Sequence, residues 1–466
     1  MPEHILFLTG RLAESQLRRV LGDLGDAGFT WEVQVLGVQV AALMTTDMIH
    51  RRLTDTGRAD RIMLPGRCRG DLAALSAHFG IPVERGPDEL MDLPEFFGRK
   101  RRAPDLSRHD VVLFAELVDA PRMGIEAILA QAAAYAADGA DVIDIGCLPQ
   151  TPFPHLEETI RALKAAGHRV SVDSLDTDEL LRGGRAGADY LLSLSSATLH
   201  LADEVASIPV LIPARHGDLD DLVGAMQQLE ARGKPYLADP ILDPLPFGFA
   251  SSLARYHELR RRMPQAEILM GTGNVSELTD ADTAGIHALL LGIMAECDIR
   301  ALLTPQVSPH CKSAVREIDA ARRIMFAARE AQSLPRDFSD DLLGLRHRKP
   351  FPYGPDEIAA MAGAVKDPSF RIQISQAGMH IYNRDGLHTA TDPFQLWPHL
   401  KLEHDGGHAF YLGVELARAQ IAWQLGKRYS QDEQLAWGCM QPRPPEDMSQ
   451  QCAPGPTRTD TTRELS

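Results

Sequence analysis

Residues 139–152 read GADVIDIGCLPQTP, and the run Val142-Ile143-Asp144-Ile145-Gly146 sets a carboxylate where a buried strand wants an aliphatic side chain. A charge inside a strand costs several kcal/mol unless it is paired, hydrogen-bonded or placed at an open end. Comparable groups close other apolar runs: Asp173 in VSVDS, Asp239 in LADPILDP with Asp243 close behind, and Asn274 in MGTGNVSELTD. Glu116 ends the run beginning at Val111 and is read equally as an ordinary strand-end carboxylate or as a metal or substrate ligand. A strand-end aspartate often caps the next helix, and Asp173, followed by Ser174, Asp176 and Thr177, is the obvious case. Several carboxylates and an amide on one rim exceed what capping requires. A carboxylate accepts two parallel hydrogen bonds, and an asparagine both donates and accepts. The matching ligand edge carries a fork of N–H donors beside ring acceptors.

The elements that would bring these groups together follow from the periodicity. From Val111 short apolar runs alternate eight times with helical patterns; the strands fall at 111–117, 141–146, 170–174, 190–195, 209–214, 235–241, 267–272 and 298–304. Eight strand–helix units in about 220 residues match a closed eight-stranded α/β TIM barrel, whose chemistry sits at the C-terminal strand ends. Residues 1–105 also alternate strand and helix, with strands at HILFLTG, WEVQVLG and DRIMLPG and a helix over VAALMTTDMIHRRL. This predicts a Rossmann- or flavodoxin-like parallel sheet, although RLAES lacks the glycines of a dinucleotide site. Residues 96–110 are a basic linker. The domains expected are therefore 1–105, the barrel at 110–332, a small α+β domain at 340–440, and a disordered tail at 441–466. In the third, FRIQIS and GMHIYNRDG are strands and 408–428 a helix.

At 466 residues with a net charge of −16, the chain exceeds one core and does not suit non-specific nucleic-acid binding. The six cysteines contain no CxxC pair, which fits reduced thiols in a cytoplasmic protein. MPEHILFLTGRL has no basic run ahead of its apolar stretch, and no segment reaches membrane-span length, so neither a leader nor a membrane partner is expected.

GADVIDIG, VSVDS and LADPILDPLPFGF resemble, in order and spacing, the DIIDIGG, SIDT and DPGIGF segments of the pterin-binding barrels in dihydropteroate synthases and pterin-dependent methyltransferases. The resemblance covers roughly residues 110–330, and the whole chain is similar to the long dihydropteroate synthase-related proteins of organisms that use tetrahydromethanopterin. It implies that Asp173 and Asp239 hold the pterin ring with Asp144 beside them, Asp243 competing with Asp239 for the second place. The departures fall elsewhere. The synthase loop after strand one is replaced by FAELVDAP, the Thr-Arg-Pro-Gly by LPQTP, the Asn-Asp by Ser193-Leu194-Ser195, and the Ser-Arg-Lys by Gly271-Thr272-Gly273-Asn274. The pterin pocket thus survives better than the groups that bind diphosphate and p-aminobenzoate. GTGNVSELTD is nearer the Gly-x-x-Asn-x-Ser of the methyltransferase branch, in which that Asn contacts the pterin.

A replacement phosphate site is expected where strand eight enters a helix, with Ser308, Lys312 and Arg316 near the helix start. That Lys312 and Arg316 merely face solvent carries equal weight. HDGGHAFYLGVELARAQIAWQLGKRYSQD is similar to a corrinoid-binding subunit of the tetrahydromethanopterin methyltransferase, with His408 at the cobalt-ligand position. Thirty residues do not make a corrinoid cleft, so His408 is expected to cap or pack at a helix start and no corrinoid is expected. The resemblance implies a transferase joining a dihydropterin-methyl diphosphate to a ribosylated arylamine phosphate, helped by Mg²⁺, with a homodimer as the assembly it allows. Pterin- and corrinoid-dependent methyl transfer, and pterin binding without catalysis, are the alternatives.

Overall fold

In the computed structural model, residues 2–25, 27–88, 90–99 and 104–442 are described. Four residues of the basic linker and residues 443–466 of the expected tail lie outside them. The chain forms two compact units, Met1–His109 with Arg323–Ser339, and Asp110–Arg322 with the chain from Asp340.

The first unit is built on four parallel strands, β1 (Glu3–Thr9), β2 (Phe29–Val35), β3 (Arg61–Leu64) and β4 (Val83–Arg85), in the order β2-β1-β3-β4. Central β1 is apolar on both faces because helices cover both: Leu6 and Leu8 join one buried cluster, Ile5 and Phe7 the other. The single helix expected over VAALMTTDMIHRRL is split into a short 3₁₀ turn, Ala41–Leu43, and a helix, Thr46–Arg52. Thr45 causes the break, since its side chain accepts from the Met48 amide at 3.3 Å as an N-cap.

The second unit contains eight parallel strands: β5 (Val112–Leu117), β6 (Val142–Gly146), β7 (Arg169–Asp173), β8 (Tyr190–Leu194), β9 (Ile208–Leu211), β10 (Leu237–Ala238), β11 (Leu269–Gly271) and β12 (Ala301–Pro305). Their order is β10-β9-β8-β7-β6-β5-β12-β11, and a parallel bridge between Ala238 and Ile268 closes the ring. This is an α/β barrel. Alternate residues point inward, so Phe114, Val142, Tyr190, Leu192, Val210 and Leu269 fill the interior as one buried cluster. The outer helices bury one stripe each; in Leu156–Ala165 it is Leu156, Ile160 and Leu163. After Asp340 an antiparallel sheet, β13 (Arg371–Ser375), β14 (Gly378–Asn383) and β15 (Gly386–Ala390), packs with the helix Gly406–Leu425 around Ile372, Ile374, Ile381 and Leu416. Among the described residues, no helix is long and apolar enough to cross a membrane.

Candidate functional site

The inward period carries three carboxylates above the apolar interior. Glu116 lies two residues beyond Phe114 on β5, and in the parallel register it faces Asp144 of β6. Asp144 in turn faces Ser171 of β7, two residues before Asp173. One oxygen from each of Glu116, Asp144 and Asp173 lies within 4.8 Å of the others. Asp144 is fully buried; its Oδ1 accepts from the Ser171 hydroxyl at 2.5 Å, while its Oδ2 has no hydrogen-bond partner. Gly146 makes room for the group, because a Cβ there would stand 2.9 Å from Glu116 Oε1.

Burial dominates the electrostatics. It pushes Glu116 up to about 7, reinforced by the charges of Asp173 and Glu277. It holds Asp144 well above the usual carboxylate range, with Asp173 and Glu116 adding to the effect and the Ser171 hydrogen bond opposing it. Asp173 rises to about 6 through burial and the charge of Asp239. Asp239, just past β10, also rises to about 6 through burial, against the opposing pull of the Tyr256 hydroxyl, the Ile241 amide and Arg255.

Asp239 and Asp243 separate clearly. Asp239 Oδ1 accepts from Tyr256 at 2.6 Å and from the Ile241 amide at 2.7 Å, while its Oδ2 lies toward Gly271 of β11. Asp243 spends both oxygens on protein side chains: Oδ2 pairs with Arg255 at 2.8 Å and Oδ1 lies 2.9 Å from His216 Nε2. Asp243 thus ties down the loop after β10. Asn274 is exposed on the short helix Gly273–Ser276 and donates to the Leu242 carbonyl at 2.9 Å. Capping after β7 falls to Asp176, which accepts from the Asp178 amide and leaves Asp173 at the mouth.

A cavity of about 750 Å³ opens over Glu116 and Asp173, walled by the loops after β6 and β7. Asp176 and Glu179 also line it, and among the described lining residues there is no Lys or Arg. Asp176 entered the sequence reading only within the capping signal beside Asp173, and Glu179 not at all; a clue lay in their closeness to VSVDS. At the same wall, burial and Glu179 push the Cys147 thiol far up, which disfavours the thiolate.

The phosphate site expected after strand eight has other occupants. The Glu277 carboxylate takes the amides of Val307 and Ser308, each at 2.8 Å. Burial alone would push Glu277 up, but the Ser308 side chain and these amides outweigh it and hold the carboxyl below its ordinary value. Gln306 accepts from the Val315 amide at 2.8 Å. Arg316 is paired with Asp138 at 2.7 Å and donates to the Cys439 carbonyl at 3.0 Å, so it serves the helical layer and not a ligand. Lys312 is exposed and donates to the Gln306 carbonyl at 3.2 Å. An internal carboxylate therefore fills the anion position. At the later helix start Asp405 is the cap, accepting from the His408 amide at 3.0 Å, and the His408 ring lies 5.8 Å from that of Tyr411.

Residues 3–88 match a family of unknown function, DUF6513. The chain is similar to an uncharacterized protein of Methanocaldococcus jannaschii, 25% identical over 523 residues that cover 92% of this chain and 98% of that protein. Among solved structures it is similar to a Yersinia pestis dihydropteroate synthase bound to a pterine-sulfa conjugate, at 20% identity and a TM-score of 0.37, over 49% of this chain and 95% of that one. A Thermus thermophilus dihydropteroate synthase in complex with 6HMPPP matches at 20% identity and a TM-score of 0.37, over 48% of this chain and 95% of its own.

Proposed function

We propose that the barrel binds a reduced pterin and acts as a dihydropteroate synthase-like transferase of tetrahydromethanopterin biosynthesis. It joins a dihydropterin-methyl diphosphate to a ribosylated arylamine phosphate. What supports this reading is the pair formed by Asp173, which lines the cavity, and Asp239, whose charge reaches Asp173 and whose Oδ2 is left over after Oδ1 is filled. Two carboxylates so placed accept the amino and ring N–H donors of a pterin. Their desolvated state makes each charge-assisted hydrogen bond stronger than it would be in water.

In the reaction the amine nitrogen attacks the pterin methylene carbon, the carbon–oxygen bond to diphosphate breaks, and the nitrogen releases a proton to solvent. The protein's task is to align nucleophile and carbon. The mouth's own residues are acidic, so the leaving diphosphate needs a counter-charge. Glu116, Asp144 and Asp173 fit a small divalent cation: their oxygens are hard donors, mutually close, and Asp144 Oδ2 is buried without a partner. Mg²⁺ held there would supply positive charge against the diphosphate. Pterin binding without transfer is the second reading, favoured by the lack of Lys or Arg among the described residues of the mouth. Release of diphosphate, dependent on both substrates and Mg²⁺, tests the proposal; tight pterin binding with no turnover would support the second reading instead.

A further inference from the structure

The loop after β10 is held by the helix that follows it, Phe249–Arg262. Ser252, Arg255 and Tyr256 stand three and four residues apart, which sets them on one face of that helix. Ser252 is fully buried; its hydroxyl oxygen accepts from the Asp243 amide at 3.1 Å and its hydrogen goes to the Phe249 carbonyl at 2.7 Å. Arg255 donates to the carbonyls of Pro240 and Ile241 at 3.2 and 2.7 Å, besides its pairing with Asp243. Tyr256 is also fully buried, and its hydroxyl donates to Asp239 Oδ1 at 2.6 Å. All three side chains thus reach residues 239–243.

The backbone they hold is strained. Ile241 has a φ of 67°, in the left-handed region that a β-branched residue enters only under constraint. Its amide donates to Asp239 Oδ1 at 2.7 Å, and its carbonyl accepts from Arg255. Oδ1 of Asp239 therefore has two donors, one from the loop backbone and one from the helix, which fill both its lone-pair directions. The last torsion of an aspartate is broad when the carboxylate has a single partner. Two donors from different elements fix its plane. Around a Cβ built on Gly271 of β11, the nearest atom is Asp239 Oδ2 at 3.8 Å, so the space beside that oxygen is open.

We infer that Tyr256 is a positioning residue for the barrel's ligand: its hydroxyl fixes the plane of the Asp239 carboxylate so that Oδ2 is held out toward the bound ring. The inference rests on the pterin reading of the barrel given above. Tyr256 acts through Asp239 and touches no ligand itself. Phenylalanine at this position keeps the ring and its packing and deletes one buried donor. Asp239 then keeps the Ile241 amide alone, its torsion broadens, and binding has to narrow it again.

A double-mutant cycle by calorimetry, on the full chain with a dihydropterin at pH 8, tests this. That pH lies above the range near 6 in which Asp173 and Asp239 take up protons. Tyr256→Phe is expected to weaken binding about five- to tenfold in the parent. In an Asp239→Ala background, which has no carboxylate to orient, the loss should be less than about twofold. A tyrosine that only supports the core would cost the same factor in both backgrounds. The phenylalanine adds no bulk, and circular dichroism checks the fold of all four proteins. Equal loss in both backgrounds, or no loss in either, would overturn the inference while pterin binding stands. A parent chain that takes up no dihydropterin would overturn the pterin reading, and this inference with it.

Discussion

Replacing Glu116 by Gln should stabilise the ligand-free protein at pH 8 and leave its stability at pH 4 little changed beyond a constant offset. Glu116 is pushed from 4.5 to about 7 in the folded chain. The folded state therefore binds a proton that the unfolded state releases between those values. Stability contributed by this group is fully present below about pH 4.5 and is lost as pH rises through 7. A rise of that size is worth about 3 kcal/mol, and the residual solvent contact of Glu116 trims it to about 2–3 kcal/mol. The amide has its own packing cost, but that cost does not vary with pH, so the readout is the difference between pH 5 and pH 8. Urea unfolding without divalent ions measures it, followed by tryptophan fluorescence in a Trp31→Phe background. The remaining tryptophans, Trp397, Trp423 and Trp437, all lie in the second unit. Millimolar Mg²⁺ should restore stability at pH 8 in the parent but not in the variant, as expected for a ligand bound only by the native state. If parent and variant lose the same stability from pH 5 to pH 8, within about 0.5 kcal/mol, the three carboxylates do not form a desolvated cluster.

Asp173→Asn and Asp239→Asn should each weaken dihydropterin binding by about 2–3 kcal/mol, measured by calorimetry. Parent affinity should fall as pH drops through about 6, where both carboxylates take up protons and lose acceptor strength. Arg316→Ala should cost about 1–3 kcal/mol of stability by leaving Asp138 half-buried and unpaired, with no change in KM for a phosphorylated substrate. Lys312→Ala should alter neither quantity; a raised KM in either variant would return the anion site to the helix start. Glu277→Gln should cost about 1–2 kcal/mol at neutral pH, since an amide oxygen satisfies the Val307 and Ser308 amides less well. Glu277 titrates below its ordinary value, so its stabilisation is present at neutral pH and fades on acidification. Thermal melts across pH would show no convergence of parent and variant at acid pH if the contact were unimportant.

The barrel was legible because each strand is short, apolar and bounded by turn residues, and the interruption at Asp144 was legible as a charge in an apolar run. Local sequence carries both signals. What it could not carry was the fate of individual oxygen atoms. Asp239 and Asp243 stand in similar Asp-Pro contexts, and only the fold brings Arg255 and His216 onto Asp243. The helix start after β12 has the residue types of an anion site, yet Glu277, about thirty residues earlier, reaches its amides. Gly146 is the last residue of the second expected strand; its closeness to Glu116 depends on the register of β5 against β6. Residues 323–339 join the first unit although 323–332 fall within the expected barrel, a long-range packing choice with no local signature.

On the proposed function, the mouth of the barrel holds a pterin between Asp173 and Asp239. A crystal structure of the full chain grown with a dihydropterin-methyl diphosphate and Mg²⁺ tests it most directly. The pterin amino and ring N–H groups are expected at hydrogen-bond distance, about 2.7–3.2 Å, from Asp239 Oδ2 and an Asp173 oxygen, with the cation against Glu116. A pterin bound elsewhere, or an occupied mouth in which neither aspartate touches the ring, would contradict it.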